Sequence, residues 1–437
     1  MTLGRQGASN VLLCYTLDSE GVVGPALKEL SVMTNRIRVT LISVSSLLIF
    51  YVVLGGLLGK SDSTSEKTYR DLGVYSEVLN RIRLDYVTEP NLKKVTDGAI
   101  RGLLEALDPY STYFTPGEYQ DYLKHPDPGP ADVGMFLSKR MGYATVISVL
   151  PGSPAEKAGV RAGDLIDRVE GSATRELSVL QIQRLLAGAP ATTVKLYVVR
   201  EARGEPEPIT LTRTLLNYPP VVAKIVDDGD GYLRVSTFEK GKAKQIAAKL
   251  RELEANGAHK IILDLRNCAG GDVQEAVDTT SLFLDKGLIT YLSGQRYPRQ
   301  DITAHPTEGV SNLPLAVLIN QSTAGPAELI ASAVLGNKRG EVVGVRSFGE
   351  GVLQKTIPVG DGSALLLSVA KYYGADGKAI NDNGVTPSVV QSAGSTSAAI
   401  EGEEETQNPE HFGGKDDLQL LKAIEILMHS SSSAKAA

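Results

Sequence analysis

The chain has 437 residues, of which 42% are hydrophobic and 22% are charged, and this composition is typical of two or three globular domains. Its net charge of −6, with 5% aromatic residues and no Trp, argues against nucleic-acid binding, which uses basic surfaces and stacking platforms. The two cysteines, Cys14 and Cys268, form neither a disulfide framework nor a metal-ligand spacing, and the five histidines are scattered. We therefore expect no metal site and no cofactor.

A long apolar run lies near the N-terminus. Residues 39–58 carry no charge and have the roughly 20 residues that a helix needs to span a bilayer. Because Arg36 and Arg38 precede the run, the positive-inside rule predicts a cytoplasmic N-terminus at 1–38 and the bulk of the chain in the periplasm or extracytoplasmic space. A cleavable signal peptide is the alternative, but no A-x-A site follows the run. Whether residues 1–32 belong to the native protein stays open.

Two helical patterns follow the apolar run, in a helical region that we place at 66–126. Tyr69 to Tyr86 and Leu92 to Leu107 have apolar residues at helical spacing, and the second pattern stops before Asp108-Pro109. We interpret the pair as packing helices that support the domains after them.

The segment 131–213 is similar to a PDZ domain. Its residues Asp132-Val133-Gly134-Met135-Phe136 match the carboxylate-binding loop and the strand after it, and Pro151 to Asp164 matches the motif GSPAEKAGIKPGD. The resemblance implies peptide binding by strand addition, with loop N–H groups holding a terminal carboxylate and a helix at Ser178 to Leu186 beside the groove. Asp132 stands where glycine is frequent, and an aspartate there repels a carboxylate or redirects the N–H groups. The alternative is a lid or spacer with an empty groove.

Alternating strand and helix patterns over 221–391 predict an α/β core. The predicted strands are Tyr232 to Phe238, His259 to Leu265, Leu315 to Ile319, Val342 to Val345 and Ser363 to Tyr372, and the predicted helix is Lys240 to Asn256. An acidic linker at 392–414, with a composition typical of disorder, and a C-terminal helix at 415–429 complete the chain, before a tail that we expect to fray.

Three segments of the core carry a family resemblance. They are Asn320 to Glu328 between an apolar strand and a helix, the Phe348-Gly349 pair, and Asp264 to Gly271. With the PDZ-like segment, they resemble the carboxyl-terminal processing peptidases, or tail-specific proteases, of serine peptidase family 41. The resemblance covers roughly residues 66–391. It implies a mixed α/β fold, in which a PDZ-like domain accompanies a peptidase core with ClpP/crotonase-like layers.

The same resemblance assigns the catalytic positions to residues that lack the required groups. The nucleophilic serine falls on Gly325, and the general-base lysine falls on Glu350, at the family spacing of 350 − 325 = 25 residues. Gly325 has no hydroxyl and Glu350 has no amine, so neither side chain can play its assigned part.

The oxyanion positions and an accessory position follow from the resemblance as well. The oxyanion donors fall on the glycine pair Gly270 and Gly271 and on Pro326, which has no N–H to donate. Gln354 matches an accessory glutamine and is retained. The sequence therefore keeps the register of the centre while nucleophile, base and one donor are missing.

Three hypotheses remain open. The first is a membrane-anchored pseudoprotease that binds polypeptide C-termini or unfolded protein outside the cytoplasm, with an active paralogous peptidase as a candidate partner. The second is an active serine-type endopeptidase with a rearranged site, in which Ser322 or Thr323 is the nucleophile and Lys338 or Lys355 the base. The third is a structural envelope protein that binds no peptide. We interpret Cys268 as a packing residue, since no base is near it in sequence.

Overall fold

The computed structural model describes residues 35–58, 63–140, 142–200, 204–226, 229–306, 311–394 and 412–435. The chain divides into two compact units, 1–92 and 93–437. The predictions made for residues 1–34 and for most of the acidic linker, 395–411, lie outside the described residues.

The first unit contains two long helices. Helix α1 (Asn35–Leu58) covers the predicted anchor, and helix α2 (Ser63–Asp85) covers most of the first predicted amphipathic pattern. Within the described part of the chain, no helix is both long and apolar enough to cross a membrane. The anchor at 39–58 stays a prediction.

The second unit begins with a short helical segment that leads into a sheet. Its elements are α3 (Leu92–Glu105), β1 (Thr112–Phe114) and α4 (Pro116–Lys124). The turn after α3 is fixed by Asp108, whose carboxylate accepts the N–H groups of Tyr110 and Ser111 at 2.8 and 2.6 Å. A capping box between Thr115 and Glu118 then starts α4. Turn and cap together position residues 108–115 against the domains that follow.

An antiparallel sheet with two short helices forms the next layer. Its elements are β2 (Met135–Arg140), β3 (Tyr143–Val149), α5 (Pro154–Lys157), β4 (Leu165–Val169), β5 (Ser172–Ala173), α6 (Val179–Leu186), β6 (Thr193–Val199) and β7 (Glu207–Thr212). The strand order is β2-β3-β4-β6-β7, which places β2 at an edge. Alternate residues such as Leu137, Val146 and Leu196 pack against Ile182 and Leu186 of α6. This is the PDZ-like architecture that the sequence predicts.

The core is built on two further sheets. Their strands and helices are β8 (Val222–Val226), β9 (Asp230–Arg234), α7 (Lys242–Ala255), β10 (Lys260–Asp264), α8 (Val273–Ser281), β11 (Leu288–Ser293), β12 (Gln300–Thr303), β13 (Leu315–Ile319), α9 (Pro326–Gly336), β14 (Glu341–Gly344), β15 (Val352–Pro358), β16 (Ala364–Gly374), β17 (Val389–Val390) and α10 (Leu418–Lys435). One sheet has the order β17-β14-β13-β10-β9-β8, with only the β8–β9 pair antiparallel. The other has the order β1-β16-β11-β12, with β15 beside β16.

Helices cover both faces of the mostly parallel sheet. Leu263 and Val317 point to the face that packs against α7, α8 and α9, whereas Ile262, Ala316 and Leu318 pack against α10. The continuous apolar runs of β10 and β13 thus reflect burial on both faces. The mixed α/β fold predicted from the sequence is confirmed, although the first predicted core strand occupies Asp230–Arg234 rather than 232–238.

A buried charge network attaches α10 to the sheet. Arg266 is 1% exposed and lies 2.6 Å from a carboxylate oxygen of Asp264 and 2.6 Å from one of Asp417. Its guanidinium also stacks 4.0 Å from the ring centroid of Phe412. Asp417 accepts the N–H of Leu420, so α10 begins at Leu418 rather than at the predicted residue 415. The helix continues to Lys435, where a frayed tail was expected.

We expect Asp417→Ala to lower the free energy of unfolding by about 3 kcal/mol, because it leaves the buried Arg266 guanidinium with one carboxylate instead of two. Urea titration monitored by circular dichroism measures the change. Asp416→Ala is the matched control, since this neighbouring side chain is exposed. Equal stability of the two variants would contradict a structural role for the network.

Candidate functional site

The turn between β13 and α9 is held by hydrogen bonds from several elements. The Thr323 hydroxyl donates to the Leu265 carbonyl at 2.8 Å and accepts the Asn320 N–H at 2.9 Å. The N–H of Ala324 donates to the Cys268 carbonyl at 3.0 Å. Gly325 then takes φ 60° and ψ −121°, a conformation that suits glycine and strains other residues. The sharp turn therefore presents the Gly325 position at the N-terminus of α9.

Glu328 fastens this turn to the loop before β15. It is fully buried, and its carboxylate accepts the N–H groups of Gly325, Gly349 and Glu350 at 2.9, 2.8 and 2.8 Å. The Ser347 hydroxyl is a fourth donor, at 2.5 Å. Burial raises the pKa of Glu328 to about 7, while the four hydrogen bonds act in the opposite direction. Glu328 was not among the site residues predicted from the sequence, although its place as the third residue of α9 is a capping signal.

Glu350 faces Gly325 across open space. A methyl group placed on Gly325 would have one described neighbour within 4 Å, the Glu350 carboxylate, whose Oε2 would lie 3.9 Å away. The Glu350 side chain is half-buried, and its carboxylate makes no hydrogen bond to the described residues. Burial raises its pKa to about 7. The structure thus brings together Gly325 and Glu350, and the space between them has room for a larger side chain at position 325.

The loop that carries the predicted oxyanion glycines contacts the turn through Ala269 and Ala324. Gly270 and Gly271 have φ values of 71° and 103°, and within the described chain neither N–H donates a hydrogen bond. Both glycines are also required by packing. A methyl group on Gly270 would lie 2.1 Å from Cε1 of Phe136, and one on Gly271 would lie 2.3 Å from the Phe238 carbonyl carbon. Pro326 is the first residue of α9, so the predicted third donor position has no N–H.

The PDZ-like domain contacts the core at this place. Ile147 packs with Ala269 and Ala324, and Phe136 and Phe348 complete the cluster. The Ser148 hydroxyl donates to the Asn267 carbonyl at 2.7 Å, and the Arg140 guanidinium stacks on Phe348 at 4.7 Å. This contact covers the loop of the glycine pair, and it was not predicted from the sequence.

Gln354 takes a supporting position rather than one in the open space. Its amide donates to the Tyr110 carbonyl at 2.8 Å, and the Tyr110 hydroxyl lies 3.1 Å from that of Ser138. Burial raises the pKa of Tyr110, and the charges of Glu350 and Glu328 add to the effect. Tyr110 therefore lies in the field of both carboxylates, a role that sequence reasoning missed.

The side chains considered as alternative nucleophiles are buried. The Ser322 side chain is 8% exposed and Thr323 is fully buried, with its hydroxyl already donating to a carbonyl. Lys338 follows α9, about 16 Å of helix away from the turn. Cys268 is fully buried, and burial raises the pKa of its thiol, so it does not form a reactive thiolate. None of these groups is paired as a nucleophile with a base.

The predicted carboxylate-binding loop lies at the start of the edge strand β2. Gly134 has φ 80°, and a methyl group there would lie 2.4 Å from Cβ of Ser153. The Asp132 carboxylate accepts the Gly134 N–H at 2.8 Å, with a further contribution from the Val133 N–H. The Asp132 carboxylate therefore occupies a loop N–H group that the PDZ resemblance assigns to a ligand carboxylate. Phe136, predicted to bind peptide, instead packs on Gly270.

The described residues contain no group of three or more His, Cys, Asp or Glu side chains placed to hold a metal ion. The titratable group that faces position 325 is the Glu350 carboxylate.

Comparisons with known proteins place these features in a family. Residues 230–391 match the family model of peptidase family S41, and residues 145–200 match a PDZ domain model. The carboxy-terminal processing protease CtpA of Bacillus subtilis is 30% identical over 81% of this chain and 75% of its own length. The carboxyl-terminal-processing protease of Synechocystis is 31% identical over 81% of this chain and 84% of its own length.

A solved structure has the same fold. The photosystem II D1 C-terminal processing protease superposes with a TM-score of 0.60 at 28% identity, covering 73% of this chain and 92% of that protein. The PDZ domain and the core next to it are therefore shared with a solved homologue.

We expect Glu350→Gln to change the pH dependence of stability. Below pH 4.5 the Glu350 carboxyl is protonated in both the folded and the unfolded protein. Between pH 4.5 and about 7 only the unfolded chain releases this proton, so the folded wild type loses stability as the pH rises through this window. The variant should gain about 1–3 kcal/mol relative to the wild type as the pH rises to 8. Urea unfolding at several pH values measures this difference.

Glu205→Gln controls for the loss of one negative charge, because Glu205 is exposed and far along the chain from the turn. A difference between Glu350→Gln and wild type that is constant from pH 4.5 to pH 8 would show that Glu350 is not desolvated.

Proposed function

The chain belongs to peptidase family S41, as a homologue of the carboxy-terminal processing proteases, and we propose that it binds polypeptide without cutting it. The observation that carries the proposal is the pairing of Gly325 with Glu350 at the start of α9. Position 325 has no side chain, and the described group nearest to a methyl placed there is the Glu350 carboxylate.

Three parts of an acyl-transfer mechanism are missing at this point. Attack on a peptide carbonyl needs a nucleophile, and Gly325 offers none. A base must remove the proton of that nucleophile, but the Glu350 carboxylate has no hydroxyl to act on and adds negative charge where an oxyanion would develop. Pro326 has no N–H, and the loss of one oxyanion donor costs about 100- to 1000-fold in rate. All three groups act in the attack on the peptide carbonyl, so their combined absence supports the loss of proteolysis.

Polypeptide binding is supported by the sheet edge. Strand β2 ends the PDZ-like sheet, and α6 lies over its apolar side chains, which is the arrangement to which a peptide adds as a further strand. The proposed ligands are polypeptide C-termini or unfolded segments. An active paralogous peptidase is the proposed partner, since it would cut what this chain holds.

Membrane anchoring by residues 39–58 forms part of the proposal. The support is the uncharged apolar run after Arg36 and Arg38, which orients the PDZ-like domain and the core to the periplasm or extracytoplasmic space. We expect the full chain to stay with membranes after alkaline carbonate extraction and a chain lacking 39–58 to be released. Release of both would contradict the anchor.

Proteolysis is tested with the full chain and a reduced, alkylated globular protein as substrate. We expect no cleavage by the wild type. The variant Gly325→Ser/Glu350→Lys should cleave weakly, and adding Pro326→Ala should raise the rate by about 100- to 1000-fold, because it returns an oxyanion donor. A serine at 325 has space, and its backbone strain costs about 1–3 kcal/mol. Gel electrophoresis and mass spectrometry of the products measure the rates.

Ser322→Ala and Thr323→Val in the wild-type background are the controls. Cleavage by the wild type that either substitution abolishes would overturn the proposal and favour a rearranged active site. A triple variant as inert as the wild type would contradict the placement of the ancestral reaction centre at Gly325.

A further inference from the structure

The PDZ-like loop carries its own carboxylate in the place where a ligand's carboxylate would bind. Asp132 Oδ1 accepts the Gly134 N–H at 2.8 Å, and the Val133 N–H also contributes to holding the same group. Successive backbone N–H groups of this kind form a nest for one anion. Because the aspartate belongs to the loop, its effective concentration there exceeds that of a ligand in solution.

The loop is fixed in this arrangement by contacts on both sides. Asp132 and Thr214 exchange two backbone hydrogen bonds, each 3.0 Å long. The Gly134 carbonyl accepts the Leu150 N–H at 2.9 Å, and the Val133 carbonyl accepts that of Ala155 at 3.0 Å. A loop tied at successive residues does not rotate its N–H groups away from Asp132 without breaking these bonds. A ligand carboxylate therefore has to compete with Asp132 for the same N–H groups, because the loop backbone is held in place.

Arg213 lies near the Asp132 carboxylate. Burial raises the pKa of Asp132, while the hydrogen bonds from the loop and the positive charge of Arg213 act in the opposite direction. Arg213 is itself fixed, since its guanidinium donates to the Leu185 and Leu186 carbonyls at the end of α6, at 2.7 and 2.9 Å. A terminal carboxylate entering the nest would thus meet an aspartate that occupies the donors and repels a second negative charge.

The outer edge of β2 is the place where a peptide would add as a strand. On its sheet side β2 pairs with β3 from Met135 to Arg140, and no described strand pairs with its other side. Pairing along this edge uses peptide N–H and C=O groups, which every polypeptide segment has. What the groove lacks is therefore the terminal-carboxylate subsite and not the strand-addition surface.

We propose that the PDZ-like groove takes internal polypeptide segments in extended conformation, and that Asp132 is the specificity-determining residue that excludes the free C-terminal carboxylate as an anchor. The inference rests on the proposed polypeptide binding and narrows its ligand class. A chain that continues past the loop presents a neutral amide there, which neither competes for the N–H groups nor meets repulsion.

The test compares two forms of one fluorescein-labelled dodecapeptide with apolar final residues, the free acid and the C-terminal amide. A longer peptide carries the same residues in its middle. Fluorescence anisotropy with the full-length protein gives each affinity. For the wild type we expect the amide and the longer peptide to bind at least as tightly as the acid. For Asp132→Ala, which frees the Gly134 N–H, we expect the acid to bind about ten-fold or more tighter than the amide.

Asp132→Asn separates the two effects, because it keeps an acceptor for the Gly134 N–H and removes the charge. We expect its acid-to-amide preference to stay within about three-fold of the wild type's, since the donors remain occupied. Asp127→Asn is the matched control, as Asp127 makes the same contact to the Gly129 N–H at 2.9 Å on an exposed turn. Thermal unfolding of each variant verifies folding, and the wild-type and Asp132→Asn measurements stand if Asp132→Ala does not fold.

A wild type that binds the acid about ten-fold tighter than the amide would overturn the inference while leaving polypeptide binding intact. An Asp132→Ala variant with the wild-type ratio would overturn it as well. If the wild type binds no form of the peptide, gain of acid binding by Asp132→Ala supports the role of Asp132, and no gain overturns it. Failure of all forms on all variants would also remove the proposed polypeptide binding, so the two failures are distinguishable.

Discussion

The carboxylate of Glu328 is the interaction on which the candidate centre depends. It gathers four donors from two segments that the chain separates, the turn at Gly325 and the loop from Ser347 to Glu350. A buried carboxylate loses the solvation of bulk water, so it is tolerated only where donors replace that water. The same four bonds therefore stabilise the fold and place Glu350 opposite Gly325. Loss of either segment would leave the carboxylate unsatisfied, which links local geometry to stability.

This dependence does not involve the side chains at positions 325 and 350. The donors to Glu328 are mostly backbone N–H groups, which do not change when the Gly325 or Glu350 side chain changes. The glycine pair is likewise required by Phe136 and Phe238, whose atoms fill the space that side chains at 270 and 271 would need. Packing and hydrogen bonding therefore account for Glu328 and the glycine pair, whatever the chemistry of the site.

The sequence predicted those parts of the molecule that local patterns encode. The apolar runs of β10 and β13 and the helix α6 are local features, and each of these elements lies close to its predicted bounds. The contact of Phe136 with Gly270 joins residues that are more than a hundred positions apart, and no periodicity signals it. The pairing of Arg266 with Asp417 is equally remote. Such contacts depend on how the layers of the fold pack against each other, and local sequence patterns do not predict that packing.

Asp132 illustrates how geometry decides between outcomes that a sequence leaves open. An aspartate in a loop of N–H groups can face outward and repel an anion, or turn inward and replace it. The inward turn is the one in the structure, where the Asp132 side chain accepts the N–H of Gly134 two residues later. The carboxylate then makes a hydrogen bond that offsets part of its desolvation. Because the loop donor is already hydrogen-bonded to Asp132, a ligand carboxylate gains little there. Affinity at this groove must therefore come from the strand edge and the apolar side chains beside it.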